Sequence, residues 1–214
     1  MNYATLVQAI KDYTENTETT FVANIDNFIG QAERRIILDI DLPVFHKSVA
    51  GTMTTSNSYL GKPTDFLTSF SLAIISTGNV YTYLMPKDVS FMREVSPDTD
   101  DTGEPKYYGH FSDTSFIISP IPDANYTTEL HYKYAPAQIS SSTTTTWLGD
   151  NADTALLYGC LVEAYTFMKG ETELIQLYNA RYKEALESVR KLGEFDDQRD
   201  WYRDGDPTAL AAAR

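Results

Sequence analysis

Two stretches near the start of the chain place apolar residues three or four positions apart. Tyr3, Leu6, Val7, Ile10 and Tyr13 form the first set; Phe21, Ile25, Phe28, Ile29, Ala32 and Ile36 form the second. That spacing puts each set on one face of an α-helix. Between them lies a Thr- and Asn-rich break, Thr14 to Thr20, with Thr19 or Thr20 placed to cap the second helix. The polar face of the second helix carries Asp26, Glu33, Arg34 and Arg35, and Pro43 ends the pattern.

The period then changes. From Lys47 to Tyr134 the chain is rich in Ser, Thr, Tyr and Val, and Gly and Pro cut it into short runs. Val80 to Met85 and Lys106 to Phe111 are β-prone. Phe116, Ile117 and Ile118 form an apolar strand core ahead of Pro120 and Pro122. Glu129 to Tyr134 alternates, with Leu130, Tyr132 and Tyr134 on one side and His131 and Lys133 on the other. Short strands with turn signals between them predict antiparallel sheet. Lys87 to Val95 is open between strand and a short helix starting near Pro86.

Helical spacing returns after a Ser/Thr linker, Ser140 to Thr146. Leu156, Leu157, Cys160, Leu161, Ala164, Tyr165 and Met168 build one apolar helix, with Asp150 or Asn151 as its cap and Gly170 as its break. Leu174, Leu177, Tyr178, Tyr182, Ala185, Val189 and Leu192 build another, which Gly193 is expected to stop. No internal repeat is visible.

The expected fold class is α+β. A mainly α-helical bundle of two N-terminal and two C-terminal helices carries an inserted antiparallel β region and an extended C-terminal tail. The boundaries that follow are 1–46 for the N-terminal helices, 47–139 for the β-rich insertion, 140–193 for the C-terminal helices and 194–214 for the arm. The arm is polar and acidic but holds Phe195, Trp201 and Tyr202. Plain disorder is one reading of such a terminus. A docking arm is the other, because aromatics on a polar arm suit a partner's pocket.

Charge narrows the function. The net charge of -13 argues against a sequence-reading nucleic-acid binder, which needs cations to neutralise phosphates. It is compatible with a conduit whose wall repels passing DNA. The 15 tyrosines suit surfaces that are buried against a partner, since Tyr is apolar along its body and polar at its tip. The single cysteine, Cys160, excludes an intrachain disulfide and reads as a small core residue rather than a reactive thiol. Met1 to Ile10 lacks the basic start and apolar run of a secretory leader. No apolar stretch approaches the about 20 residues that span a bilayer.

No phosphate-binding loop, dinucleotide fingerprint, nucleophile elbow or H-E-x-x-H motif occurs. His46, His110 and His131 are scattered without zinc-ligand spacing. Asp98, Asp100 and Gly103 match the opening of a calcium loop, but Thr102 and Gly109 stand where ligands are needed, so an acidic surface loop is the simpler reading. No catalytic residue, metal or cofactor is assigned.

The order of motifs is more informative than any one of them. "YATLVQAIKDYT" precedes "FIGQAERRIILDIDLPVF"; "GKPTDFL" follows at Gly61 to Leu67. Then come "GEPKYYGHFSDTSFIISPIPDANYTTELHYKYAP", from Gly103 to Pro136, and "WLGDNADTALLYGCLVEAYTFMK", from Trp147 to Lys169. Together, over residues 3 to 192, they resemble the head-to-tail adaptors of tailed phages, notably the short-tailed ones. Lys62 departs from the pattern, where Leu is commoner. The resemblance implies a virion structural protein of the neck between capsid and tail, made in the bacterial host cytoplasm. It implies a dodecameric ring of the chain, docked on the portal protein ring and receiving a tail nozzle or tail tube protein. Genomic DNA would pass through without sequence-specific binding, and no membrane is involved. In the family the C-terminal tail embraces the portal, which makes Phe195, Trp201 and Tyr202 the expected portal contacts. The alternatives are a tail-completion or tail-tube subunit that ignores the portal, a carbohydrate-binding adhesion module built on Tyr and Trp, and a carboxylate-based enzyme, for which no residue speaks.

Overall fold

The computed structural model describes residues 1–76, 78–98 and 102–196, without the side chains of 192–196. The first elements are helices α1 (Tyr3–Thr14) and α2 (Thr19–Asp39), followed by a 3-10 turn (Pro43–Phe45). Then come strands β1 (His46–Met53), β2 (Tyr59–Gly61), β3 (Phe66–Ile75), β4 (Tyr81–Tyr83) and β5 (Met85–Pro86), and helix α3 (Val89–Val95). Strands β6 (Thr102–Gly103), β7 (Tyr107–His110), β8 (Ser115–Ser119), β9 (Ile121–Pro122) and β10 (Tyr126–Tyr134) follow. Helices α4 (Trp147–Asn151), α5 (Asp153–Phe167) and α6 (Thr172–Asp196) complete the described chain. Two compact units result: Met1–Pro43 with the chain from Ala137 onward, and Val44–Pro136.

The helical unit is organised around α5, which packs against α1, α2, α4 and α6. Its sequence is apolar on every side, as a helix enclosed by others requires. Ala155, Leu156, Cys160, Leu161 and Ala164 are all buried. Gly159 lets the neighbours close in: a Cβ there would lie 3.1 Å from Ala32 Cβ and 3.4 Å from the Tyr182 ring. Phe21, Phe28 and Phe167 add a ring cluster, with Phe28 and Phe167 centroids 5.3 Å apart. The caps differ from expectation. Asn2 caps α1, its side chain accepting from Thr5 N at 2.9 Å. Glu18 precedes α2 without a side-chain cap bond, and Thr19 is already helical. Thr146, not Asp150 or Asn151, caps the helical run, and Ala152 divides that run into α4 and α5. Gly193 does not stop α6, which continues to Asp196.

The β unit is a sandwich of two four-stranded sheets plus a small two-stranded one. One sheet runs β1-β10-β3-β4, every neighbour antiparallel. The other runs β2-β8-β7-β5. Their inner faces enclose Met53, Leu60, Leu72, Ile74, Leu84, Tyr108, Phe116, Ile118, Leu130 and Tyr132. Phe116 sits at the centre, edge-on to Phe66 (centroids 5.4 Å apart) and Tyr108 (5.7 Å). At the rim Asp65 accepts from Lys47 Nζ and from Tyr132 Oη, both at 2.8 Å. Lys47 Nζ also lies 3.9 Å from the centre of the Tyr134 ring, over its negative face.

The expected mainly helical bundle is therefore corrected. The described chain has six helices and ten strands in three sheets, 44% helical and 26% strand, so the β part is a body with its own core. Nor is that part wholly antiparallel, since β5 pairs with β7, and β6 with β9, in parallel. The physical reason lies in β1 and β3. In β3, Leu72, Ala73 and Ile74 are all buried, so no alternation marks the strand. In β1 every residue but Gly51 and Met53 is exposed, so its two faces do not alternate in burial. Strands of neither kind announce themselves by period. At the open segment after Pro86, Asp88 decides for helix: its Oδ1 accepts from Phe91 N at 3.0 Å and starts α3.

Candidate assembly surface

The flanks and outer face of the sandwich carry the exposed chemistry. The alternation of each strand fixes which residues face outward. In the first sheet the register aligns Ala50, Glu129, Ala73 and Tyr83 in one row across β1, β10, β3 and β4. Thr52, Thr127, Ile75 and Tyr81 form the adjacent row. Glu129 is the hub of this face. It accepts from Ser48 Oγ (2.9 Å) and Tyr81 Oη (2.9 Å), and its carboxylate lies 2.8 Å from His131 Nε2. Those three partners, Tyr81 first, hold its carboxyl below the usual range. The carboxylate in turn pushes the Tyr81 phenol up.

A serine, a histidine and a carboxylate in contact raise the question of nucleophilic catalysis. The geometry answers against it. Ser48 donates to Glu129 and not to His131, so the serine–imidazole contact of a nucleophilic relay is missing, and the carboxylate it does meet is held below the usual range, a weak base. The cluster fixes Tyr81 and the outer face of the sheet.

Beside it runs an uncharged strip. Val80, Tyr81, Tyr83 and Met85 are 62%, 48%, 60% and 62% exposed, and residues 79–86 contain no charged side chain. Tyr81 and Tyr83 lie near-parallel, with centroids 6.5 Å apart. The strip is the outermost strand of both sheets at once, through β4 in one and β5 in the other. Sequence reasoning recognised this run as β-prone but not as a surface. The signal available was its lack of charge in a chain of net charge -13.

The other singled-out residues fall elsewhere. His46 packs at a tilt against Phe70 (centroids 4.2 Å apart), and His110 lies between Phe66 (5.8 Å) and Phe116 (5.2 Å). Burial, then the nearby Lys62, lowers the His110 pKa. Cys160 is fully buried, and burial together with the Glu33 and Glu163 carboxylates pushes its thiol far up, which makes it inert. Phe195 falls in the last turn of α6, with its side chain outside the described set. Trp201 and Tyr202 lie outside the described residues, as does Asp100 of the acidic loop. Among the described residues no group of three or more His, Cys, Asp or Glu is placed to hold a metal ion. No helix among them is long and apolar enough to cross a membrane.

Comparison with known proteins supplies the biological frame. No curated protein matches the chain. The family of the SU10 adaptor protein matches it over residues 1–210. This agrees with the adaptor resemblance carried by the motifs from Tyr3 to Leu192. Matched along nearly its whole length, the chain belongs to the SU10 adaptor protein family, phage structural adaptors of the virion that act through contacts with other phage structural components.

Proposed function

We propose that the chain is a head-to-tail adaptor that forms a ring, docks on the portal and presents the platform for the tail nozzle or tail tube. The observation that carries this reading is the family match over residues 1–210. The chemistry of the chain supports it. A ring subunit needs two different lateral surfaces, and the β sandwich has two different open flanks. A net charge of -13 suits a wall past which DNA slides. Phe195, in the last turn of α6, and Trp201 and Tyr202 beyond it are proposed as the portal anchors, since aromatics in a polar segment favour burial in a partner. The neck of the virion is the proposed location.

Mass photometry of the protein, alone and mixed with the portal ring of its phage, tests the proposal. Conversion of free chains into one stoichiometric complex supports it. A protein that ignores the portal and binds the tail tube instead is a tail-completion subunit. Replacing Phe195, Trp201 and Tyr202 together by Ala should weaken the portal complex; an unchanged affinity removes the arm from the interface.

The near-parallel, exposed Tyr81 and Tyr83 favour a second reading, a glycan-binding adhesion module, because sugar rings stack on such platforms. Binding to a panel of host-surface glycans, lost in Tyr83→Ala, would establish that reading in place of the first.

A further inference from the structure

The two flanks of the sandwich differ, and the difference specifies a partner. On one flank the outermost strands are β4 and β5, continuous in the chain. On the other they are β1, with eight residues, and β2. An outermost strand leaves one row of backbone N–H and C=O groups unpaired, and natural proteins guard such rows with charge or proline. Here the guard is thin. Residues 79–86 carry no charge and have Pro86 only at their end. Strand β1 has one cation, Lys47, already paired with Asp65, and no acidic residue. A chain of net charge -13 thus puts no carboxylate on the edge strands β1, β2, β4 and β5 themselves, and the two nearest, Glu129 and Asp65, already accept from Ser48 and Tyr81 and from Lys47. These are the surfaces where two like copies meet without charge repulsion.

Strand direction and side-chain size agree. Neighbours alternate in direction across β1-β10-β3-β4, so β1 and β4 run in opposite senses. A second copy, related by a rotation that continues the sheet, brings its β1 antiparallel to β4, the pairing used throughout this sheet. The outward positions of β4 are Tyr81 and Tyr83, while those of β1 are Ser48, Ala50 and Thr52. Large side chains on one edge face small ones on the other. The contact is heterologous, so it repeats from copy to copy and closes only as a ring.

We infer that the lateral contact between copies of this chain is a β4–β1 edge pairing that joins the β10-containing sheets of neighbours. This rests on the ring-forming adaptor reading and names the surface that would build the ring. Tyr83 is the central anchor, and its exposure in the single chain is the exposure of an unfilled interface.

The test is cysteine cross-linking in the portal-bound assembly. Chains carrying Thr82→Cys and chains carrying Val49→Cys, both exposed positions on the same face of the sheet, tagged to differ in mass, are mixed, assembled on the portal ring and treated with a short bismaleimide. Cys160 is fully buried, and unmodified protein controls for it. The expected product is a mixed-mass dimer, with little self-linked product from either variant alone; the double variant should give a ladder. Assemblies that form on the portal without the mixed product, or Thr82→Cys chains that link chiefly to each other, overturn the edge pairing and leave the adaptor reading standing. Absence of any portal-bound assembly overturns both. As a second measurement, Tyr83→Asp places a carboxylate on the flank. It should keep the circular dichroism spectrum and raise the concentration needed for assembly at least about tenfold. An unchanged threshold contradicts the inference.

Discussion

Glu33 offers a sharp quantitative test of the helical unit. It lies in α2 with 5% of its surface exposed, and both carboxyl oxygens face the backbone N–H of Ile139, at 3.1 and 3.3 Å. Burial raises its pKa from 4.5 to about 7, against the lowering effect of the Ile139 hydrogen bond. A carboxyl whose folded pKa exceeds its unfolded pKa binds more protons when folded. Its contribution is therefore fully present below about pH 4.5 and is lost as pH rises through about 7. A rise of this size corresponds to at most about 3 kcal/mol. Glu33→Gln keeps an acceptor for Ile139 N–H and removes the ionisation. The variant should match the parent near pH 5 and exceed it at pH 8 by about 3 kcal/mol, because the rise to about 7 already contains the Ile139 hydrogen bond. Urea titrations of both proteins at pH 5, 6, 7 and 8, followed by tryptophan fluorescence, read the difference. Parallel pH profiles, or a variant that is less stable at pH 8, would refute the reasoning.

Three further outcomes are expected of the β unit. Phe116→Ala removes a fully buried ring held between Phe66 and Tyr108 and should cost about 4 kcal/mol in urea unfolding; a loss under about 1 kcal/mol would mean the sandwich core is not packed as described. Gly109→Ala places a Cβ 2.4 Å from the Lys87 carbonyl oxygen and 3.1 Å from Met92 Sδ, where the backbone has to give. It should destabilise by about 1–3 kcal/mol, read in the same titration, and a neutral result contradicts the close approach of β5 and β7. The Asp65 carboxyl is held below its usual range, first by Lys47 and also by Tyr132. Its contribution is present above the unfolded pKa and lost as pH falls, so Asp65→Asn should weaken the protein at pH 7 and make little difference at pH 3. Equal losses at both pH values would contradict that.

The helices were legible where one face is apolar and the other polar. In α2, Phe21, Ile25, Phe28, Ile29, Ala32 and Ile36 repeat at helical spacing and are all buried. The same pattern placed Glu33 on the polar face, yet it is buried, because the chain at Ile139 covers it and a backbone N–H answers its carboxyl. That contact joins residues far apart in sequence, and no local pattern encodes it. The strands were half legible. Leu130 and Tyr132 alternate with His131 in β10, which has one face in the core. Strand β1 is an edge of small residues, and β3 buries three in a row, so neither shows a period. The open flank at Val80 to Met85 was invisible for another reason. Exposure of Tyr83 follows from being outermost, and strand order is a property of the whole sheet. The family, by contrast, was legible from the order of short motifs, which survives where single motifs are weak.

The adaptor reading is tested most directly by a cryo-EM reconstruction of the neck in virions of the phage that encodes this chain. The account predicts the helical and β units of this chain resolved as a closed ring between portal and tail. Density for the chain in the tail shaft or fibres, with another protein beneath the portal, would contradict it.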